Sequence, residues 1–124
     1  MPRYVILEHD CPSVHWDLML ESGAVLRTWR LTAPPRPGGH AVSATAMFDH
    51  RLMYLDYEGP VSGNRGHVIR WDHGMFSCQE MESDRVALEL EGVRLGGVMV
   101  LERTGHSEWT LTFTDEERQH GRDP

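Results

Sequence analysis

Short apolar segments separated by turn residues constrain this chain more than any other feature of its sequence. About eight segments have the length and the polar–apolar alternation of β-strands, and turn residues recur roughly every 8 to 12 residues. No long stretch repeats its apolar residues with the period of a helix. The sequence therefore predicts an all-β fold with a minor helix, in which short and mostly antiparallel strands form a compact barrel or a sandwich.

The first two predicted strands, Tyr4–His9 and His15–Glu21, are joined by a turn at Asp10–Val14 that contains a proline. Ser22–Gly23 is a two-residue turn signal. Further strands are predicted over 24–31, 40–49, 67–72, 75–79, 86–91, 98–102 and 109–113, with a short helical turn within 51–59 and a chain reversal at His73–Gly74.

The length of 124 residues predicts a single domain over residues 1–115 with a polar tail over 116–124. No apolar run approaches the roughly 20 residues of a membrane span, and no charged-then-apolar leader opens the chain, so we expect a cytoplasmic protein without a membrane partner. The two cysteines are too few for a secreted disulfide scaffold.

The net charge of −7 argues against a broad basic surface for nucleic acid. Charge is uneven, however, because Arg27–Arg36 holds three arginines and no acidic residue, whereas Glu80–Glu91 is rich in acids. A phosphate partner would meet the first segment, unless this is ordinary charge scatter. The Ser62–Gly66 segment lacks a phosphate-loop lysine and a following helix, which favours a plain turn.

A candidate metal site lies at the first hairpin. Strand alternation puts His15 and Asp17 on one face, and His9 flanks the same turn. Facing residues of an antiparallel pair lie about 5 Å apart at Cβ, so two imidazoles and a carboxylate can converge on one divalent ion. Spacing alone leaves open that these histidines are solvated surface residues. Cys11, within the turn, is either an extra soft ligand or a loop thiol without a function.

Two sequence signatures resemble a known family. Residues 4–9 read YVILEH and residues 15–21 read HWDLMLE, while residues 48–59 read FDHRLMYLDYEG. They are similar to the signatures FVIQEH, HYDFRLE and EDHPLxYxxFEG of the 3′-phosphoesterase domain of bacterial DNA ligase D. Segments 68–74 and 90–97 match later parts of that domain more loosely. The resemblance covers nearly the whole chain.

The resemblance implies a compact β-barrel with a small helical element. It implies that His9, His15 and Asp17 bind a divalent metal, usually manganese, although zinc or another transition metal also suits these ligands. His50 and Tyr54 match the second active-site histidine and the tyrosine that contact the phosphoryl group. Without the resemblance, Tyr54 would be interpreted as an aromatic that plugs the barrel and His50 as a surface residue at a strand end.

Four residues depart from the family pattern. Met19 stands where the family has an arginine that neutralises phosphoryl charge, and Val42 stands where a second arginine is expected. Leu7 replaces a glutamine and Phe48 a glutamate. A thioether cannot donate to a phosphate oxygen, so these departures reduce the expected activity.

Arg51, Arg65 and His40 are the nearby residues that we predict to bind phosphate in place of the missing arginine. The leading hypothesis is a freestanding, divergent, metal-dependent 3′-phosphoesterase whose substrate is a phosphate-terminated DNA or RNA end. The alternative is a non-catalytic module that binds metal and phosphate ends but has lost turnover. Interaction with repair ligase or polymerase proteins is a further expectation of the resemblance.

Overall fold

The computed structural model describes residues 1–38 and 40–115, so the predicted tail at 116–124 lies outside the described residues. The strands are β1 (Arg3–His9), β2 (His15–Ser22), β3 (Val25–Leu31), β4 (Val42–Arg51), β5 (Gly59–Pro60), β6 (His67–Met81), β7 (Arg85–Gly92), β8 (Gly96–Arg103) and β9 (Glu108–Asp115). A 3-10 helix at Leu52–Leu55 follows β4. In the described part of the chain, no helix is long and apolar enough to cross a membrane.

The strands close into an eight-stranded antiparallel barrel. Their order is β1, β2, β3, β4, β9, β8, β7 and β6, and β6 pairs back with β1. The two-residue β5 adds to β6 outside this ring. Closure pairs both sides of each barrel strand and so removes the exposed edges of an open sheet. The prediction of an all-β barrel with a minor helix is confirmed.

The predicted chain reversal at His73–Gly74 is wrong. Strand β6 runs unbroken through these residues, pairing with β1 over its first half and with β7 over its second. A Cβ on Gly74 would lie 2.1 Å from the Glu91 carbonyl oxygen. Glycine is therefore present because the backbones of β6 and β7 approach closely here, which sequence patterns do not distinguish from a turn.

Apolar residues pack on both faces of the barrel wall. The interior cluster draws side chains from all eight barrel strands and includes Tyr4, Leu18, Trp29, Val42, Phe76, Leu88, Met99 and Leu111. A smaller set, which we call the outer cluster, lies on the outside of β1, β2, β3 and β6 together with one residue of the 3-10 helix: Val5, Leu7, Met19, Leu26, Val68 and Leu55. The 3-10 helix covers one side of it through Leu55.

One end of the barrel is held by a buried carboxylate. Asp72 on β6 accepts hydrogen bonds from the Tyr4 hydroxyl (2.5 Å) and from the backbone N–H groups of Arg94 (2.7 Å) and Leu95 (3.1 Å). Burial, aided by the bond to Asp72, raises the pKa of Tyr4 well above its usual range. The loop between β7 and β8 is thereby tied to β1 and β6.

Gly74→Ala should destabilise the chain by about 3 kcal/mol, because the added methyl group meets backbone atoms that cannot rotate away. Gly96→Ala is the matched control, since a Cβ on Gly96 meets nothing within 4 Å. Urea unfolding monitored by circular dichroism measures both changes. Equal stability of the two variants would contradict the close approach of β6 and β7.

Candidate metal and phosphate site

An open groove of about 370 Å³ lies on the outer face of the barrel, beside the outer cluster. Its apolar floor includes Leu7 and Met19, and polar side chains from β1, β2, β3 and β4 surround that floor. Strands β1 and β2 bring His9 and Asp17 to the groove, and β4 with the following helix brings His50 and Tyr54. The two sequence signatures therefore meet in one depression.

His9, His15 and Asp17, which we call the triad, converge within this region. His9 and His15 face each other in the β1–β2 register, with ring centroids 4.8 Å apart. Asp17 Oδ2 lies 3.4 Å from His15 Nε2 and 4.0 Å from His9 Nδ1. One donor atom from each residue lies within 4.8 Å of the other two, which is a spacing that can hold a metal ion.

Backbone carbonyls orient both imidazoles. His9 Nε2 lies 2.7 Å from the Arg65 carbonyl oxygen, and His15 Nδ1 lies 2.9 Å from that of Ser13. Because a carbonyl oxygen can only accept, these nitrogens carry the protons. The unprotonated nitrogens, His9 Nδ1 and His15 Nε2, therefore face Asp17 with their lone pairs. Metal sites have the same arrangement, in which each ligand histidine donates its other N–H to a backbone carbonyl.

His15 Nε2 is an acceptor atom whose surroundings suit a bound cation. It is buried and has no hydrogen-bond partner in the described part of the chain. A buried acceptor without a partner costs free energy, and a buried carboxylate faces it. A divalent ion would satisfy both groups, so the donor set fits a metal.

The turn between β1 and β2 is anchored to β6. Asp10 Oδ1 accepts a 2.8 Å hydrogen bond from the His67 backbone N–H, and this bond holds the pKa of Asp10 below its usual range. Cys11, in the same turn, is a free thiol that does not belong to the group of converging ligands found among the described residues. The triad therefore contains nitrogen and oxygen donors without sulfur.

A β-bulge decides the direction of the His50 side chain. Residues Phe48 and Asp49 of β4 face the single residue Arg27 of β3, so the alternation of β4 shifts by one residue. Val42, before the bulge, faces the barrel interior, whereas His50, after it, faces the groove. The shift explains why Val42 is not a groove residue although an arginine was expected there.

His50 is held by two oxygen atoms. Its Nδ1 lies 3.0 Å from the Phe48 carbonyl oxygen and 3.0 Å from Thr28 Oγ1, which leaves Nε2 for a ligand. The exposed ring of Phe48 stacks on the imidazole at 4.8 Å, and the Tyr54 ring meets it edge-on at 5.9 Å. Tyr54 packs against the outer cluster, so it does not plug the barrel interior.

Arg30 lies in the Arg27–Arg36 segment predicted to meet a phosphate partner, but sequence reasoning did not single it out within that segment. It faces Asp17 across β2 and β3, with Nε 3.5 Å from Asp17 Oδ1. A hairpin turn at Ser22–Gly23, as predicted from the sequence, would have paired Asp17 with Thr28 instead. The actual turn is Gly23–Ala24, with Gly23 at a φ of +63°. Counting the register from that turn would have found Arg30.

The three residues predicted to bind phosphate have different positions. Arg51 is exposed at the end of β4 and lines the groove. Arg65 also lines it, but its guanidinium donates to the Ser62 carbonyl oxygen at 2.6 Å and to Ser62 Oγ at 3.2 Å. His40 is exposed in the loop before β4 and is not among the groove residues.

Comparison with known proteins bears on the identity of this fold. The sequence model of the DNA ligase D 3′-phosphoesterase domain matches residues 7–103, which include the triad, His50 and Tyr54. The chain belongs to this family. The resemblance found from the two signatures is confirmed.

The curated relatives are much longer than this chain. The multifunctional non-homologous end joining protein LigD of Mycobacterium bovis is 32% identical over 117 residues, covering 86% of this chain and 15% of the relative. The LigD protein of Pseudomonas aeruginosa is 30% identical over 123 residues, covering 88% and 14%. The chain therefore spans only a small part of these relatives.

Proposed function

We propose that this chain is a divergent, metal-dependent phosphoesterase that acts on the phosphate-bearing 3′ end of a nucleic acid. Membership of the ligase D 3′-phosphoesterase family supports a phosphoesterase-type function. The observation that supports the proposal most strongly is the buried nitrogen His15 Nε2. It lies close to His9 Nδ1 and Asp17 Oδ2, beside an open groove. A surface pair of solvated histidines would not leave such an atom without a partner.

His9, His15 and Asp17 would hold a divalent ion, for which we propose manganese. Two imidazoles and a carboxylate suit Mn²⁺, while zinc and other transition metals bind the same donors. Bound there, the ion would supply Lewis acidity toward a phosphate oxygen. The carbonyl groups of Arg65 and Ser13 fix the two imidazoles in the tautomers that this role needs.

His50 and Tyr54 are proposed to act on the phosphate from the opposite side of the groove. With Nδ1 donating to an oxygen of its own strand, a protonated His50 presents Nε2–H to a phosphate oxygen or to the leaving group. The Tyr54 hydroxyl is proposed as a second donor. Arg51 and Arg65 are proposed to bind the nucleic acid at the rim, and His40 stays a sequence prediction, since it lies away from the groove lining.

The LigD relatives are named for non-homologous end joining. We infer that this chain prepares ends for such repair in the cytoplasm, together with ligase or polymerase proteins. The negative overall charge supports contact with the terminus alone, because only three arginines of the described residues, Arg30, Arg51 and Arg65, line the groove and could neutralise phosphates.

The test of the proposed function is release of inorganic phosphate from a 3′-phosphorylated primer-template. We expect release that requires Mn²⁺ and that does not occur with the same duplex phosphorylated at its 5′ end. Phosphate assays on the purified chain measure both. Release from both ends at equal rates would contradict the proposed specificity, and no release from either would contradict the activity.

The non-catalytic module is the second candidate, because Met19 is only 2% exposed in the apolar groove floor where the family has an arginine. Salt dependence of binding separates the two. Neutralising Z phosphates of duplex DNA gives a slope of about −0.9Z, so an enzyme that contacts the terminus alone should show a slope of roughly −2 or shallower. Steep dependence, with tight binding to DNA that lacks a 3′-phosphate, would favour the binding module.

A further inference from the structure

We infer that Arg30 is the residue that binds the phosphate beside the triad, in place of the arginine that is absent at position 19. The inference rests on the proposed phosphoesterase function, and it names the charged contact on which this chain depends. Arg30 lies on β3, on the same outer face as the triad and Met19.

The position of Arg30 follows from its strand register. Its Nε lies 3.5 Å from Asp17 Oδ1, while the other carboxylate oxygen, Oδ2, faces His9 and His15. Asp17 therefore stands between the guanidinium and the metal-binding nitrogens. An anion held at the triad would lie in the same part of the groove as this positive charge, which is the arrangement that binds a phosphate from two sides.

The terminal nitrogens of the Arg30 guanidinium are free to make a new contact. Its side chain is 41% exposed, and its two terminal nitrogens donate no hydrogen bond within the described part of the chain. By contrast, the Arg65 guanidinium is engaged by Ser62, and Arg70 faces Asp56 and the Leu55 carbonyl oxygen. Among these arginines, Arg30 alone is paired directly with a triad residue.

The geometry of an antiparallel pair allows Arg30 to take the place of an arginine at position 19. Met19 lies two residues beyond Asp17 on β2 and faces Thr28, so Arg30 is its diagonal neighbour on β3. Diagonal neighbours are about 7 to 8 Å apart and within reach of a long side chain. The positive charge in this part of the groove is therefore supplied by Arg30 on β3, whereas position 19 on β2 is uncharged.

This arrangement makes opposite demands on the two ligands. The Arg30 guanidinium, close to Asp17, repels a metal ion and competes with it for the Asp17 carboxylate. The same positive charge attracts a phosphate. Removing Arg30 should therefore weaken phosphate binding without weakening metal binding. A residue whose role is merely to support the fold would lower both affinities together.

The experiment measures the two affinities of Arg30→Met by isothermal titration calorimetry, with Mn²⁺ alone and then with inorganic phosphate added to the Mn²⁺-loaded protein. We expect phosphate affinity to fall about 10- to 100-fold. Mn²⁺ affinity should be unchanged or tighter by up to roughly tenfold. Unchanged phosphate affinity, or a parallel loss of both ligands, would overturn the inference.

Three further variants sharpen the result. Arg103→Met removes the same charge from an exposed position on β8, away from the groove lining, and should change neither affinity. Arg30→Lys, which keeps the charge but not the planar fork, should restore part of the phosphate affinity. Adding Met19→Arg to Arg30→Met should restore more of it, because the charge then returns from β2, and failure of both rescues would overturn the inference.

Failure of the inference and failure of the proposed function give different results. Arg30-dependent phosphate binding without release of a 3′-phosphate would support the inference and contradict the proposed catalysis. Mn²⁺-dependent release that is equally fast in wild type and Arg30→Met would contradict the inference and leave the proposed function intact.

Discussion

His15→Ala is expected to abolish the thermal stabilisation that Mn²⁺ gives the wild-type chain. A ligand that binds only the folded state stabilises it by RT ln(1 + [L]/Kd), about 2.7 kcal/mol when the ligand is at 100 times its Kd. For a chain of this size that corresponds to a rise in Tm of roughly 10 °C. This effect is expected because the variant removes the buried nitrogen that faces Asp17 and that has no hydrogen-bond partner among the described residues.

Thermal melts by circular dichroism, with Mn²⁺ titrated into metal-stripped protein, measure this effect. His106→Ala is the matched control, since His106 is exposed in the turn between β8 and β9 and should keep the full shift. Metal content measured after dialysis gives an independent reading. A His15→Ala variant that keeps the wild-type shift and metal content would show that the triad does not bind the ion.

His50→Ala is expected to lower the rate of 3′-phosphate release by about 10²- to 10⁴-fold, the usual contribution of a positioned general acid or base. His50 lies on β4 and does not belong to the triad, so the Mn²⁺-dependent rise in Tm should persist. Single-turnover release of phosphate from the primer-template, together with the same melts, measures the two properties separately.

Thr28→Val is an informative companion to His50→Ala. Thr28 Oγ1 is one of two oxygens near His50 Nδ1, and the Phe48 carbonyl oxygen remains when the hydroxyl is lost. We expect a smaller decrease in rate than for His50→Ala, because the ring keeps one of its two partners. An unchanged rate in His50→Ala, or loss of the metal response, would contradict the assigned role.

The first hairpin shows how far local patterns can predict a site. Alternation in β2 puts His15 and Asp17 on one face, and the short turn brings His9 opposite His15, as the β1–β2 register shows. These relations depend only on residues close together in the chain. The grouping of the triad could therefore be predicted from sequence, while metal binding by it stays a prediction.

Arg30 and His50 show where local patterns were insufficient. A turn placed one residue too early shifts the β2–β3 register by two and pairs Asp17 with Thr28, which hides Arg30. A bulge in β4 reverses the faces of the residues that follow it, so alternation counted from Val42 sends His50 toward the barrel interior. Strand register is set by pairing with a neighbouring strand, so neither the position of the turn nor the bulge can be deduced from alternation alone.

By itself, the sequence determined the fold class, the triad at one hairpin and the membership of a phosphoesterase family. Its alternating apolar residues can be buried only in a sheet, and the turn brings the three candidate ligands together. Tertiary structure alone decided that β6 continues past Gly74 and closes the barrel on β1. It also brought Arg30 and His50 to the triad's groove, because strand pairing and the β4 bulge set the direction of these side chains.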